Sequence, residues 1–424
     1  MKGRVSFVTI GCKVNLCESG SLAELFKKNG WEVVAGEDAD VYVLNTCTVT
    51  AQAERKCRQE IRKLARKHPK AQIVVMGCYA QVAPEELKLP GVKVVVGTQN
   101  RAKILELVES QTPGKLVGPL EPGLAFEDLG VGTYERTRAT LKIQDGCHQH
   151  CTYCRVRLAR GPIRSLPEAR VLELARELVA QGMREIVLSG VNLGAWGLDQ
   201  PERPQLWQLL DKLAQIPDLA RIRLGSIEPG DVTDELLEVM AARESLCHHL
   251  HLPLQSGSGK ILRLMGRGYT PDDFARTVER IRGALPSLGL TADVMVAFPG
   301  EGEVEFEESY QFIKKLGFSR LHVFSYSKRP GTPALKLGGH LSKKEAHARS
   351  QALLALGGEL AENYHRRFLE KKVEIILEEE TEGVWEGLTE QYVRVWARGE
   401  GQAGQLRWVQ VQTAHAEGLE GILD

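Results

Sequence analysis

The chain has 424 residues, too many for one ordinary core, so two or three domains are expected. Its 55 Lys and Arg balance 55 Asp and Glu, so no whole-molecule field favours nucleic acid or an anionic membrane, and any RNA surface must be local. No run reaches the apolar length that crosses a bilayer, and the N-terminus reads straight into a strand, so a cytoplasmic protein with no membrane contact is expected.

In chain order, residues 1–110 alternate short apolar runs (VSFVTI, DVYVLNT, QIVVMG, VKVVVG) with amphipathic helices. That alternation predicts a doubly wound parallel sheet. One helix is predicted over Ser21–Asn29, with Ser21 and Glu24 as a capping box and Gly30 as its stop; another runs from about Ala51 to Lys67. Residues 111–135, rich in Gly and Pro, read as a linker. Over 136–368 a second βα series follows, with strands ATLKIQD, EIVLSG, RIRLGSI, HLHLPLQ, LTADVMVAF and RLHVFSY. Six βα units predict an open partial (β/α)6 barrel with its chemistry at the carboxyl ends of the strands. A long helix from about Lys343 leads to residues 369–424, whose short strands and Gly turns predict a small antiparallel, OB-like β-barrel. The fold class is therefore α/β, in three parts.

Nine cysteines, an odd count in a chain expected to stay unexported, favour thiolate ligands over a disulfide framework. Cys147, Cys151 and Cys154 form a CxxxCxxC loop after the first barrel strand. Three thiolates can hold three irons of a 4Fe-4S cube and leave the fourth open to an external ligand such as S-adenosylmethionine (SAM). The competing reading is a zinc knuckle completed by His148 or His150, although no second CxxC follows. Tyr153 suits contact with a bound adenine, or simply packs the loop. Cys12, Cys47 and Cys78 each follow a predicted strand of the first sheet, so parallel strands would bring them to one edge as a second cluster site. Cys17, Cys57 and Cys247 read as buried thiols.

TIGCKVN, VLNTCTVT, VVMGCYAQ, GCHQHCTYC, LSGVNLGAWG, RLGSIEP, HLHLPLQSGSGKILRLMGRGYT, DVMVAFPGE and FSYSKRPGTPA resemble the motifs of the radical SAM methylthiotransferases across essentially the whole chain. The resemblance implies two 4Fe-4S clusters: one with SAM on Cys147, Cys151 and Cys154, and an auxiliary one on Cys12, Cys47 and Cys78. It also implies an RNA-binding TRAM module at the C-terminus. GCKVN is similar to the branch acting on threonylcarbamoyl-adenosine beside the tRNA anticodon, where the methylthio group replaces hydrogen at adenine C2. The neighbouring branches act on isopentenyl-adenosine tRNA or on a ribosomal-protein aspartate. Implied partners are the tRNA anticodon loop and a low-potential electron donor such as flavodoxin or ferredoxin; the sulfur source is not specified. A different class, a metal-stapled RNA-binding protein without catalysis, would carry the cysteines for structure alone. The chain departs from the family in placing Arg155 and Arg157 where apolar residues usually follow the third cysteine.

A SAM pocket needs backbone edges, hydroxyls and a charge. Gly190 and Asn192, Ser226 and Glu228, and Gln255, Ser256 and Gly257 follow successive barrel strands and fit that need, while each also suits a turn or cap. For substrate, Arg155, Arg157 and Arg267 could meet phosphate or carboxylate. Arg394, Trp396, Arg398 and Arg407, with Trp408, interleave cations and aromatics on C-terminal strands as RNA contacts require. His248, His249 and His251 read as strand packing or hydrogen bonding. The C-terminal module is expected to be removable without loss of either cluster.

Overall fold

A computed structural model describes residues 2–36, 38–132 and 137–424. The first part is a six-stranded sheet in the order Glu32–Val33, Arg4–Thr9, Val41–Thr46, Gln72–Gly77, Val92–Val96, Gly114–Leu116. Every pairing in it is parallel. Both faces are covered, which explains the unbroken apolar runs. Tyr42, Leu44, Ile73 and Val75 pack with Cys57, Ile61 and Leu64 of the helix Ala51–Lys67 on one face. Val41, Val43, Val74 and Met76 pack with Leu22, Phe26 and Ile104 on the other.

Two expectations change here. The first helix spans Lys13–Lys28, so it begins eight residues before Ser21. Ser21 is an interior residue whose hydroxyl donates to Gly130 O at 2.7 Å, and Gly132 is bare because a Cβ there would stand 2.6 Å from the backbone carbon of Gly20. Gly-Ser thus marks a close crossing, not a helix start. The segment expected as a linker contributes the sheet's last strand, Gly114–Leu116, before crossing to the barrel; its residues 133–135 lie outside those described.

The second part has six parallel strands, Arg138–Lys142, Glu185–Ser189, Arg221–Leu224, His249–Gln255, Gly289–Val296 and Arg320–Ser325. The third and fourth are joined by bridges Ile222–Leu246 and Ser226–His251, so the open barrel is continuous in chain order. Ile186, Leu188, Ile222, Leu224, Leu250 and Leu252 pack outward with the helices Glu168–Ala180, Leu206–Leu213 and Pro271–Ala284. The period of two therefore turns Glu185, Arg223, His249, His251, Thr291, Asp293 and His322 inward. Beside the first strand the helix Lys13–Lys28 lies along the barrel, with Cys17 Sγ 3.2 Å from Thr140 O.

After the helix Lys343–His365, five strands close a small barrel: Lys372–Thr381, Val384–Leu388, Arg394–Arg398, Leu406–Ala414 and Leu419–Leu423. It is not wholly antiparallel, because Arg394–Arg398 and Leu419–Leu423 pair in parallel. Nor is it a detachable module. Buried Arg221 and Arg223 of the central barrel donate to Leu388 O, Thr389 O and Glu390 O at 2.8–3.0 Å, and the Tyr392 ring lies 4.8 Å from both the Arg223 guanidinium and the His249 ring. Deleting the module would strip two backbone acceptors from the fully buried Arg223 and leave it only Glu185, so the expectation that it is removable is corrected.

Candidate active site

Cys12, Cys47 and Cys78 each fall just beyond the carboxyl end of a strand, and those three strands are neighbours in the sheet. Asn15 and Asn45, from the GCKVN and VLNTC motifs, tie the loops together. Asn15 Oδ1 accepts from Cys12 N at 3.2 Å, Asn15 Nδ2 donates to Asn45 Oδ1 at 2.7 Å, and Asn45 Nδ2 returns to Asn15 O at 2.9 Å. Gly77, at φ +100°, is required before Cys78: a Cβ there would stand 2.4 Å from Asn45 Oδ1. The thiols are close enough to act on one another. Cys47 is pushed up to about 12, first by burial and then by Cys78 and, less, Cys12. Cys78 is raised by burial and by Cys12, against the opposing charge of Arg160.

The second triad follows the same logic. Gly146, at φ +72°, lets the loop turn against Pro162, whose carbonyl oxygen a Cβ would meet at 1.8 Å. Cys147 N donates to Gly161 O at 3.0 Å, and Thr152 is held through its amide to Met265 O and its hydroxyl to Leu264 O, both at 2.8 Å. Cys154 is pushed up to about 12 by burial, then by Cys151 and Cys147. Burial and mutual repulsion keep such thiols protonated until a cation compensates them. None of the nine cysteines is in a disulfide. Among the described residues no three His, Cys, Asp or Glu side chains converge as on a single ion. A four-iron cube asks for no such convergence, because it takes one thiolate per iron.

The predicted pocket residues lie where the strands end, with unequal roles. Asn192 is buried, and among the described residues neither atom of its side-chain amide has a partner; nor has Gln255 Oε1, also buried, on a backbone at φ +65°. Gly190 lies against Gln144, whose Oε1 accepts from Asn192 N at 2.8 Å. Ser226 is exposed. Ser256 and Gly257 face the helix Glu303–Leu316, where Ser309 Oγ is 3.0 Å from both Ser256 Oγ and Gly257 N. Tyr153 meets Phe298 edge to face, at 6.2 Å between centroids. Arg267 donates to Cys151 Sγ at 3.3 Å and is ion-paired with Glu228, so it stands beside the cysteine loop.

The two unusual arginines part company. Arg155 is buried and donates to Glu54 Oε1 of the N-terminal part at 2.8 Å, where Arg329 also binds, so it faces another protein charge rather than an open surface. Arg157 is exposed, 2.5 Å from His150 Nδ1. On the C-terminal barrel, Arg398 is exposed, Arg394 pairs with Glu386 at 3.1 Å and covers the half-buried Trp396, and Arg407 donates to Glu400 O at 3.1 Å and to Asp424 O.

Several participants carried no readable signal. Arg160 sits in a buried charge cluster with Glu18, Arg101, Lys142, Asp145 and Arg164, in which Lys142 Nζ is 2.7 Å from Glu18 and 2.5 Å from Asp145. Inside the barrel His249 and His251 both bond Thr291 Oγ1, at 3.1 and 2.8 Å, and His251 Nε2 lies 3.2 Å from Asp293. The acid that the histidines lacked in sequence lies on the adjacent strand.

An open parallel barrel with a three-cysteine loop after its first strand defines a radical SAM protein, and residues 141–313 match the model of the radical SAM superfamily. Residues 4–97 match the uncharacterized protein family UPF0004. The threonylcarbamoyladenosine tRNA methylthiotransferase MtaB of Bacillus subtilis is 42% identical over 93% of this chain and 90% of its own length. The same enzyme of Thermotoga maritima is 36% identical over 98% and 96%. The tRNA-2-methylthio-N(6)-dimethylallyladenosine synthase of Thermodesulfovibrio yellowstonii is 33% identical over 99% of both. The chain belongs to the radical SAM methylthiotransferase family. In fold it is similar to the radical SAM methyltransferase TsrM of Kitasatospora setae, with a TM-score of 0.57 at 16% identity over 79% of this chain and 77% of that one.

Proposed function

We propose that this chain transfers a methylthio group to C2 of N6-threonylcarbamoyl-adenosine beside the anticodon of tRNA. The observation that carries the reading is the pairing of two cysteine triads, one at the carboxyl edge of each parallel sheet, in a chain 42% identical to an enzyme named for that substrate. When bound, two 4Fe-4S clusters and SAM supply one-electron reductive chemistry and a methylated sulfur. Cys147, Cys151 and Cys154 would hold the first cluster, and Cys12, Cys47 and Cys78 the auxiliary one. The residues fit: six thiols stand in two mutually repelling sets, and the unpaired amide atoms of Asn192 and Gln255 are buried groups that a polar ligand such as SAM would satisfy. Glu228 and Arg267 place a fixed ion pair beside Cys151, and Tyr153 closes the loop's apolar side.

The protein's own work is to hold the target adenine between two sites and exclude water. An unpaired loop base can enter without melting a helix, while Arg398 and the neighbouring C-terminal surface contact phosphate. A flavodoxin or ferredoxin would deliver the electron. The test offers the reconstituted protein threonylcarbamoylated tRNA, isopentenylated tRNA and the ribosomal-protein substrate in parallel, with nucleosides and peptides read by mass spectrometry. Methylthiolation of the first is expected. Modification of only the second or third would refute the substrate, and none of the three, with no SAM cleavage, would leave the RNA-binding class.

A further inference from the structure

The short helix Val156–Arg160 leaves the CxxxCxxC loop and runs directly to the other cysteine triad. It packs on the helix Cys78–Val82, and Thr98 Oγ1 donates to Ala159 O at 2.7 Å. At its end Arg160, 1% exposed, donates from Nε to Cys78 Sγ at 3.1 Å. Its other nitrogens are taken by Glu18, with Nη1 also 3.3 Å from Asp145. Those two buried carboxylates do more than satisfy the guanidinium: they keep it charged and aimed. Asp145 lies two residues before Cys147, and Glu18 six residues after Cys12. Arg157 on the same helix, by contrast, is exposed and meets His150 Nδ1.

We propose that Arg160 is a positioning residue of the auxiliary site, setting the reduction potential of the cluster held by Cys12, Cys47 and Cys78 through its charged N–H···S bond to Cys78. The inference rests on the assignment of that triad to a cluster. A buried hydrogen bond and positive charge at a cluster thiolate stabilise the state that has gained an electron, so they raise the potential. Low local dielectric strengthens the effect, because no water screens the guanidinium from the sulfur. The cation belongs to the radical SAM part and the sulfur to the N-terminal part, so docking of the two parts completes the site.

The test uses full-length protein carrying Cys147→Ala, Cys151→Ala and Cys154→Ala, reconstituted anaerobically with iron and sulfide so that only the auxiliary cluster is present. Its one-electron reduction is titrated and followed by electron paramagnetic resonance. R160Q is expected to move the midpoint to lower potential and alter the resonance line shape. R160K, which keeps the charge but loses the fork, should fall between R160Q and the parent, and R157Q should equal the parent. Equal midpoints for the parent, R160K and R160Q would overturn the proposal. Should R160Q fail to fold, R160K against R157Q decides the matter, and identical midpoints again refute it. A parent protein that binds no cluster would refute the assignment of the triad itself, and the proposal with it.

Discussion

The sharpest stability test lies at Glu54, where two arginines from the radical SAM part meet one carboxylate of the N-terminal part. Glu54 Oε1 accepts from Thr48 Oγ1 at 2.5 Å and Arg155 Nη1 at 2.8 Å, and pairs with Arg329 as well. All three charged groups are buried, and the Nε atoms of both arginines have no partner among the described residues. Arg155 is accordingly held below the usual arginine range, first by burial and then by the charge of Arg329. Two cations against one anion make the perturbations unequal. Arg155→Leu removes a charge-assisted bond worth ~1.5–3 kcal/mol, but relieves desolvation and repulsion and leaves Glu54–Arg329 paired; the net loss should be about 0–1.5 kcal/mol. Glu54→Gln leaves two buried guanidiniums facing each other and should cost ~3–5 kcal/mol. The double variant should be less harmful than Glu54→Gln alone, because one repelling cation is gone. Denaturant unfolding of the apo chain gives the order of midpoints; several cooperative parts are expected, so the first transition is compared. A loss from Arg155→Leu as large as that from Glu54→Gln, or strict additivity in the double variant, would refute the reasoning.

Replacing Cys147, Cys151 and Cys154 with Ala should remove about half the iron and abolish 5′-deoxyadenosine formation, whereas replacing Cys12, Cys47 and Cys78 should spare SAM cleavage and end methylthio transfer; iron analysis and product chromatography check both. Asp231 is raised to about 6 by burial and by Glu228, against ~3.9 in an unfolded chain. The folded state therefore holds this proton more tightly: stability is fully present below pH ~4, falls by ~2 kcal/mol as pH rises to about 6, and stays lost above it, so Asp231→Asn should flatten this part of the pH–stability curve. Arg398→Gln should weaken tRNA binding and reduce the slope of log affinity against log salt by about one, in filter binding over a salt series.

Much of this protein was legible because its chemistry is local. Cys147, Cys151 and Cys154 occupy one loop, and parallel strands buried on both faces announce themselves as apolar runs. The three-part architecture and the six-unit barrel followed from periodicity alone. Even Cys12, Cys47 and Cys78, far apart in sequence, were within reach, because residues at the ends of neighbouring parallel strands must share an edge.

What the sequence could not show depends on which surfaces meet. Gly20-Ser21 looked like a helix start because local propensity cannot foresee that Gly132 will cross there. Arg155 looked like a substrate contact because nothing within its own segment names Glu54, 101 residues away, as its partner. Nothing in its own segment singles out Arg160, which only folding brings to Cys78, and the interior histidines lacked an acid until the next strand supplied Asp293. Cysteines on one loop are placed by their spacing, which the chain carries in itself. Buried charges are specified by their counter-charges, and desolvation makes those partners obligatory without encoding where along the chain they lie.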